Sequence, residues 1–154
     1  MTHPAHLAGI ARHAQPRGPI EVIERVAVSV DDGVAGNGRG KVLPGKPGRR
    51  QISLIEQESW DAALAELGLA LPWHVRRANL LVSGVRLPRE EGRIIAIGES
   101  LRLMVTCECD PCSRMDEIAP GLRAALLPDW RGGVLARVMA GGEIALGDAI
   151  RIEA

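Results

Sequence analysis

The stretch "RIIAIGESLRLMVTC", residues 93–107, decides how the fold of this chain is interpreted. Two runs rich in Ile, Leu and Val are separated by "IGES", which contains residues typical of turns. Short apolar runs bounded by such residues indicate strands. The stretch therefore predicts two strands joined by a tight turn.

Similar patterns predict strands along the rest of the chain. The last segment, "GGVLARVMAGGEIALGDAIRIEA" (132–154), predicts a hairpin around Gly141-Gly142 and a final strand after Gly147-Asp148. The other predicted strands are "HLAGIARHA" (6–14), "IEVIERVAVSV" (20–30), "RQISLIE" (50–56) and "RRANLLVSGV" (76–85). Many short strands separated by turns are typical of a mostly antiparallel β-barrel.

Helices are predicted in two places. Over residues 58–67, Ser59 is a candidate cap, and Trp60, Leu64 and Leu67 share one face before Gly68 ends the helix. After the cysteines, the segment 113–130 predicts helical pieces broken at Pro120-Gly121. The Gly- and Pro-rich segment 31–50 predicts a long exposed loop, and loops of that length are functional or disordered.

The composition excludes several classes of protein. With 154 residues, the chain is predicted to form one domain over residues 1–154. Lys plus Arg and Asp plus Glu are both 19, which argues against a nucleic-acid-binding protein. No apolar run is long enough to span a membrane. The three clustered cysteines are unlike a secreted disulfide framework, so we expect a soluble protein of the reducing cytoplasm.

All three cysteines lie in "CECDPCSRMDE", residues 107–117, and several explanations are open. A structural zinc site needs a distant fourth ligand, and none of His3, His6, His13 and His74 has a partner at the usual spacing. A redox pair of Cys109 and Cys112 is expected within a βαβ unit, which this sequence lacks. A third explanation is that the thiols are incidental core residues, since Cys often serves simply as a small buried side chain.

A single special thiol, Cys112, is the remaining hypothesis. Pro111 ends the preceding strand, and Ser113 with Asp116 has the form of a capping box. Cys112 would then lie just before a helix, where free amide groups and the charge of Arg114 favour a thiolate. Such a thiolate is a metal ligand or a sulfur nucleophile.

Several motifs resemble the molybdenum cofactor sulfurase C-terminal (MOSC) domain family. "CDPCSRMDE" is followed by "WRGGVLARVMAGGEIALGDAI", and "GVAGN" and "RRANLLVSGVRL" precede them in the expected order. The resemblance extends over about residues 8–152. It implies a mainly β fold, a barrel of the MOSC and pyruvate-kinase-barrel type, with one or two short α-helices.

The resemblance also implies a function and a set of site residues. The family binds molybdenum cofactor (molybdopterin) or carries sulfur on one cysteine, which by position is Cys112, and it is also associated with pyridoxal phosphate binding. Some relatives reduce N-hydroxylated compounds. Arg77 and Asn79 match the pair that lines the cofactor pocket. Asn37 stands where the family usually has Asp, and a separate electron or sulfur donor protein is implied.

The basic residues agree with a phosphate-bearing ligand. Molybdopterin carries a phosphate, and Arg forks bind phosphates well. We therefore expect Arg39, Arg50 and Arg114 to join Arg77 and Asn79 in binding the cofactor, with Cys112 as the metal ligand. About half of the basic side chains on the loop, which also include Lys41, Lys46 and Arg49, are expected to be simply solvated. Gly36, Gly38 and Gly40 are candidates to cradle a phosphate, although "GNGRG" is not a P-loop.

Overall fold

A computed structural model of the protein describes residues 4–153. His3, one of the zinc-ligand candidates, lies outside these residues. The strands are β1 (His6–Arg12), β2 (Glu21–Ile23), β3 (Arg25–Ser29), β4 (Gly33–Val34), β5 (Ile52–Glu56), β6 (Leu80–Ser83), β7 (Ile94–Ile97), β8 (Leu101–Glu108), β9 (Val134–Ala140), β10 (Gly142–Ala145) and β11 (Ile150–Glu153).

Three short α-helices accompany the strands in the described part of the chain, where one or two were expected. They are α1 (Gln57–Leu67), α2 (Ser113–Ile118) and α3 (Leu122–Leu126), with 3-10 turns at Trp73–Arg76 and Pro128–Trp130. The break between α2 and α3 at Pro120-Gly121 is confirmed, because Gly121 takes a left-handed conformation there. Within residues 4–153, every helix is too short or too polar to cross a membrane.

The main sheet has eight strands in the order β11-β7-β8-β9-β5-β6-β1-β2. All of its neighbours are antiparallel except β5 and β6, which are parallel. The mainly β fold is thus confirmed, but a closed barrel is not. The chain just before β11 meets β1 through an isolated bridge between His6 and Ala149 and through backbone hydrogen bonds such as that from the Leu7 amide to the Asp148 carbonyl at 2.9 Å, but these contacts do not form a continuous ladder.

The turn in residues 93–107 is confirmed. β7 and β8 pair with Ile97 opposite Leu101, and Gly98 starts the connection with a φ of 65°. Glycine adopts this left-handed backbone without the steric cost of a Cβ atom. Ile95 and Leu103 lie opposite each other in this pair, and both are buried in the core.

The predicted hairpin at Gly141-Gly142 is wrong. β10 pairs with β3 in a second sheet of order β10-β3-β4, whereas β9 pairs with β8 and β5. A hairpin needs a turn of at least about two residues, and only Gly141 separates β9 from β10. A Cβ on Gly141 would lie 2.7 Å from the Val28 carbonyl oxygen, so this glycine lets the chain pass closely from one sheet to the other.

The core has two parts, one on each face of the main sheet. Aliphatic residues of the strands fill the first, with Trp130 packed against it. The three helices and the outward residues of β5 and β6 form the second, around the fully buried Trp60. Trp60 Nε1 donates to the Leu71 carbonyl at 3.2 Å, which satisfies its polar group inside the core.

The start of α1 differs from the predicted Ser59 cap. Ser59 lies inside the helix, and its hydroxyl donates to the Glu56 carboxylate at 2.7 Å. Glu56 is buried and also accepts from the Leu87 amide at 2.6 Å and from Arg89 Nη1 at 2.6 Å. The buried carboxylate thus ties α1 to the segment between β6 and β7.

Replacing Glu56 with Ala is expected to destabilise the protein by about 3 kcal/mol, because it leaves Arg89 without its buried partner. Equilibrium urea unfolding measures the change. Glu66→Ala is the matched control, since it removes the exposed partner of Arg131, and it should leave the midpoint nearly unchanged. Equal midpoints for both variants would show that the Glu56 network contributes no more than a surface ion pair.

Candidate functional site

A cavity of about 190 Å³ lies where several distant segments of the chain meet. All six residues predicted from the sequence line it: Arg39, Arg50, Arg77, Asn79, Cys112 and Arg114. The structure adds His13, Pro16, Arg17, Asn37, Ser53, Arg76, Cys109, Asp110, Met115 and Leu135. Residues far apart in sequence are therefore brought to one place, and most of the charged ones are guanidinium groups.

Arg77 reaches the cavity from the end of the 3-10 turn before β6. Its φ of 66° is left-handed, and its amide closes the turn by donating to the His74 carbonyl at 2.9 Å. Its Nη2 donates to the Gly18 carbonyl at 2.9 Å, which holds the guanidinium beside the segment after β1. The remaining donors of the fork are left for a ligand.

Most of the side-chain hydrogen bonds of Asn79 are formed within the protein. Its side-chain oxygen accepts from the Ser53 amide at 3.1 Å and the Ser53 hydroxyl at 3.2 Å, and its Nδ2 donates to the Ala11 carbonyl at 3.2 Å. These bonds join β1, β5 and the start of β6. Since an amide nitrogen carries two hydrogens, Asn79 keeps one donor that a ligand could use.

Cys112 lies at the mouth of the cavity, at the N-cap position of α2. Its side chain is exposed, whereas Cys107 and Cys109 are half-buried. The predicted capping box of Ser113 and Asp116 is wrong: α2 has no side-chain cap, and the Asp116 carboxylate instead accepts from the Arg123 amide at 3.1 Å. The Asp116 contact with Arg123 ties α2 to α3.

The basic loop contributes some of its charges to the cavity, as expected. Arg39 and Arg50 line it, whereas Lys41, Lys46 and Arg49 do not. The loop is held in place by Gln51, whose amide group bonds to Val30, Gly40 and Val138 of the backbone. It is thus an ordered part of the fold.

The glycines of this loop do not form a phosphate cradle. A Cβ on Gly38 would lie 2.3 Å from the Ala14 carbonyl oxygen, and one on Gly40 would lie 2.0 Å from that of Asp32. Both glycines therefore serve close contacts between backbone segments. Asn37, in the position of the family Asp, accepts from the His13 amide at 3.1 Å through its side-chain oxygen.

Arg76 is the main residue that the predicted set of site residues left out, although it belongs to the basic pair before Asn79. Its residue is 8% exposed, and Nη2 donates to the Cys109 carbonyl at 2.9 Å and the Gly132 carbonyl at 3.0 Å. The same nitrogen lies 3.3 Å from Cys109 Sγ. In the sequence, Arg76 is only the neighbour of Arg77, and nothing in the pattern marks which of the two is buried. Arg17 was also missed, since it stands in a Pro/Gly break without any motif.

Electrostatics of the cavity are dominated by positive charge. Burial lowers the pKa of His13, and the charges of Arg77, Arg39 and Arg114 lower it further. Burial likewise lowers the pKa of Arg77, with Arg114 and Arg39 acting in the same direction. Like charges this close favour the neutral form of each group, so an anion in the cavity would relieve their repulsion.

A pair of carboxyl groups lies at one side of the cavity. Burial raises the pKa of Glu108, and the nearby Asp110, which lines the cavity, raises it further. Despite these carboxyls, no group of three His, Cys, Asp or Glu side chains within residues 4–153 is arranged to hold a metal ion. A metal at this site would therefore rely on Cys112 and on ligands brought by a cofactor.

Comparison with solved structures identifies the fold. The YuaD protein of Bacillus subtilis matches with a TM-score of 0.77 and 20% identity over 99% of this chain and 97% of that one. YiiM of Geobacillus stearothermophilus matches with a TM-score of 0.71 and 17% identity over 98% and 76%. YiiM of Escherichia coli matches with a TM-score of 0.67 and 14% identity over 97% and 70%. These likenesses show a shared fold.

The family comparison is more specific. No curated protein is a significant match to this chain. The model of the MOSC domain matches residues 39–151, which include Arg77, Asn79 and Cys112 of the cavity. The chain belongs to the MOSC domain family.

Proposed function

We propose that the cavity binds molybdenum cofactor, with the Cys112 thiolate as a ligand of the metal. The observation that carries this proposal is the convergence of six residues from three separate segments on one cavity. An exposed thiol stands at its mouth, and soft thiolate sulfur suits the sulfur-rich surroundings of the metal in this cofactor.

The donors in the cavity fit the phosphate of the pterin. Arg77, Arg39, Arg50 and Arg114 would hold it, and Asn79 would contribute its free N–H. Arg forks recognise phosphate oxygens through paired charged hydrogen bonds. The lowered pKa of His13 agrees with this assignment, because burial lowers it most and the charges of Arg77, Arg39 and Arg114 lower it further. The cavity of about 190 Å³ is smaller than the usual 300–1,000 Å³ of a ligand pocket, so part of the cofactor would lie outside it.

When bound, the cofactor's metal supplies two-electron redox chemistry, and N-hydroxylated compounds are the substrate class that we propose for it. The chain's own residues would bind and orient the cofactor: Cys112 would hold the metal, and the arginines would hold the phosphate. His13, with its lowered pKa, is neutral at neutral pH and is available to accept a proton near the cavity. The electrons would come from a separate donor protein.

A second candidate function is a sulfur carrier that holds a persulfide on Cys112. The exposure of this side chain favours it, because a carrier thiol must meet both a donor and an acceptor. Analysis of molybdenum and phosphorus in protein purified from a cofactor-competent host separates the two functions. Equimolar molybdenum and pterin support the first, and their absence together with a sulfur adduct on Cys112 supports the second.

Replacing Arg77 distinguishes a ligand-binding role from a structural one. Arg77→Lys keeps the charge but loses the planar fork, so it should weaken cofactor binding by about 1–3 kcal/mol for each charged hydrogen bond lost, and Arg77→Ala should weaken it more. Pterin fluorescence after oxidative release, together with a thermal melt, measures both effects. Arg123→Ala, on α3 and away from the cavity, is the control. Equal pterin content in all four proteins would remove Arg77 from the site.

The three thiols should differ in reactivity. Cys112 is expected to alkylate first with limiting iodoacetamide at neutral pH, because it alone is exposed, while Cys107 on β8 should be nearly inert. Peptide mass spectrometry measures the order, and the unfolded protein in urea is the reference in which the three should react alike. Fastest labelling of Cys107 would contradict the assignment.

Inorganic phosphate should raise the pKa of His13. Burial lowers this pKa and the guanidinium groups lower it further, so a bound anion that offsets their charge stabilises the imidazolium form. NMR titration of the imidazole with and without phosphate measures the shift. Arg77→Gln should raise the pKa without phosphate and reduce the further shift on its addition. A His13 pKa that does not respond to phosphate in the wild type would count against an anion site.

A further inference from the structure

Arg76 carries a buried charge that the protein itself does not neutralise. Only 8% of the residue is exposed, and it forms no ion pair with a carboxylate among residues 4–153. Its Nη2 is shared by two carbonyl oxygens and Cys109 Sγ, whereas the buried Nε has no hydrogen-bond partner within the described chain. Burying an unpaired charge is costly, so this guanidinium indicates a site built for an anion.

The anion site lies against an exposed thiol. Arg76 and Cys112 line the same cavity, together with Arg77 and Arg114. The Gly132 carbonyl accepts a hydrogen bond from Arg76 Nη2. The lack of a side chain at Gly132 leaves room for the guanidinium group, because a Cβ there would lie only 3.2 Å from Nη2. The guanidinium group is thus in contact with the Cys109 sulfur, and the exposed Cys112 lines the same cavity.

The size of the cavity limits the anion. At about 190 Å³ it is below the range of pockets that enclose drug-sized ligands, and it suits an oxyanion of a few heavy atoms. Phosphate and sulfate are oxyanions of this size, but neither carries a sulfur atom that can be transferred to a thiol. An oxyanion with a sulfane sulfur, of the thiosulfate type, can interact with both parts of the site. Its oxygens bind the guanidinium groups, and its sulfane sulfur reacts with the thiol.

We propose that the cavity binds a small sulfur oxyanion of the thiosulfate class and that Cys112 accepts its outer sulfur. This inference rests on the second candidate function, the sulfur carrier, and names its donor. The Cys112 thiolate attacks the outer sulfur of thiosulfate and forms a new S–S bond. The S–S bond of thiosulfate breaks, and sulfite leaves with the electron pair.

This transfer balances without a further oxidant. A thiolate and a thiosulfate dianion become a cysteine persulfide anion and a sulfite dianion, and the thiol proton has been lost to water beforehand. Negative charge moves onto the departing sulfite in the transition state, and guanidinium groups in a partly enclosed cavity stabilise such charge. The persulfide then passes its outer sulfur to an acceptor thiol or, in an assay, to cyanide, which forms thiocyanate and restores the thiolate.

The test uses the reduced full-length chain with thiosulfate, followed by intact mass spectrometry, sulfite release and thiocyanate formation with cyanide. Wild type should gain the mass of one sulfur atom and release an equal amount of sulfite. Cys112→Ser should gain none, and Cys107→Ser, which removes a half-buried thiol outside the cavity lining, should still be loaded. Sulfur found only on Cys109 would overturn the inference.

The arginines provide the second readout. Arg76→Lys should raise the thiosulfate concentration for half-maximal loading by about tenfold or more, as expected for loss of a charged hydrogen bond. Because Arg76→Lys could unfold the protein, Arg114→Gln is made in parallel and should show the same direction of change. Inorganic sulfate should compete in the wild type. Unchanged half-saturation in a folded Arg76→Lys or Arg114→Gln protein, or no competition by sulfate, would overturn the anion site.

A polysulfide arm separates this inference from the function on which it rests. Polysulfide donates sulfane sulfur without an oxyanion group, so it loads any accessible carrier thiol. Loading of Cys112 by both donors supports the inference. Loading by polysulfide but not by thiosulfate overturns the thiosulfate donor while the carrier function stands, and loading by neither overturns both.

Discussion

The buried guanidinium of Arg76 is the constraint on which the site depends. It bonds the backbone after β8 to the Gly-Gly segment before β9, and so holds Cys109 and Gly132 together at the inner wall of the cavity. A buried cation must be matched by acceptors or an anion, and here the protein supplies carbonyl oxygens but no carboxylate within the described chain. The positive potential that remains is the property that every function proposed for this cavity uses.

A protein with zero formal net charge can still concentrate one sign of charge locally. The fold does so by bringing together arginines from the loop, the 3-10 turn and α2, while Glu56 and Asp129 neutralise Arg89 on another part of the molecule. The overall charge therefore indicates which class of partner, such as nucleic acid, the whole protein can attract. It does not predict the charge of a single cavity. The pKa of His13, lowered by burial and by three of these arginines, records the local field.

Much of the fold could be predicted from local patterns. The turn between β7 and β8, the helix α1 and the break between α2 and α3 were predicted correctly, because each depends on residues close together in sequence. The hairpin at Gly141-Gly142 was predicted wrongly because strand pairing is a long-range choice: Gly141 allows a close passage to β3, and the pattern alone does not distinguish this from a turn. The same limit applies to the barrel, whose closure depends on how β1 meets the chain next to β11.

By itself, the sequence determined the mainly β class through its strand patterns, and its resemblance to the MOSC family, together with the affinity of arginine for phosphate, pointed to six residues that line the cavity. Only the tertiary structure shows which of the two arginines is buried and that Asn79 forms most of its side-chain hydrogen bonds with β1 and β5. It also shows that Cys112 is exposed, whereas Cys109 contacts Arg76. The physical reason is that burial and hydrogen-bond partners are set by segments far away in sequence. Arg76 and Arg77 are chemically identical neighbours that both line the cavity, and only the packing of the chain around them buries the first and leaves the second partly exposed.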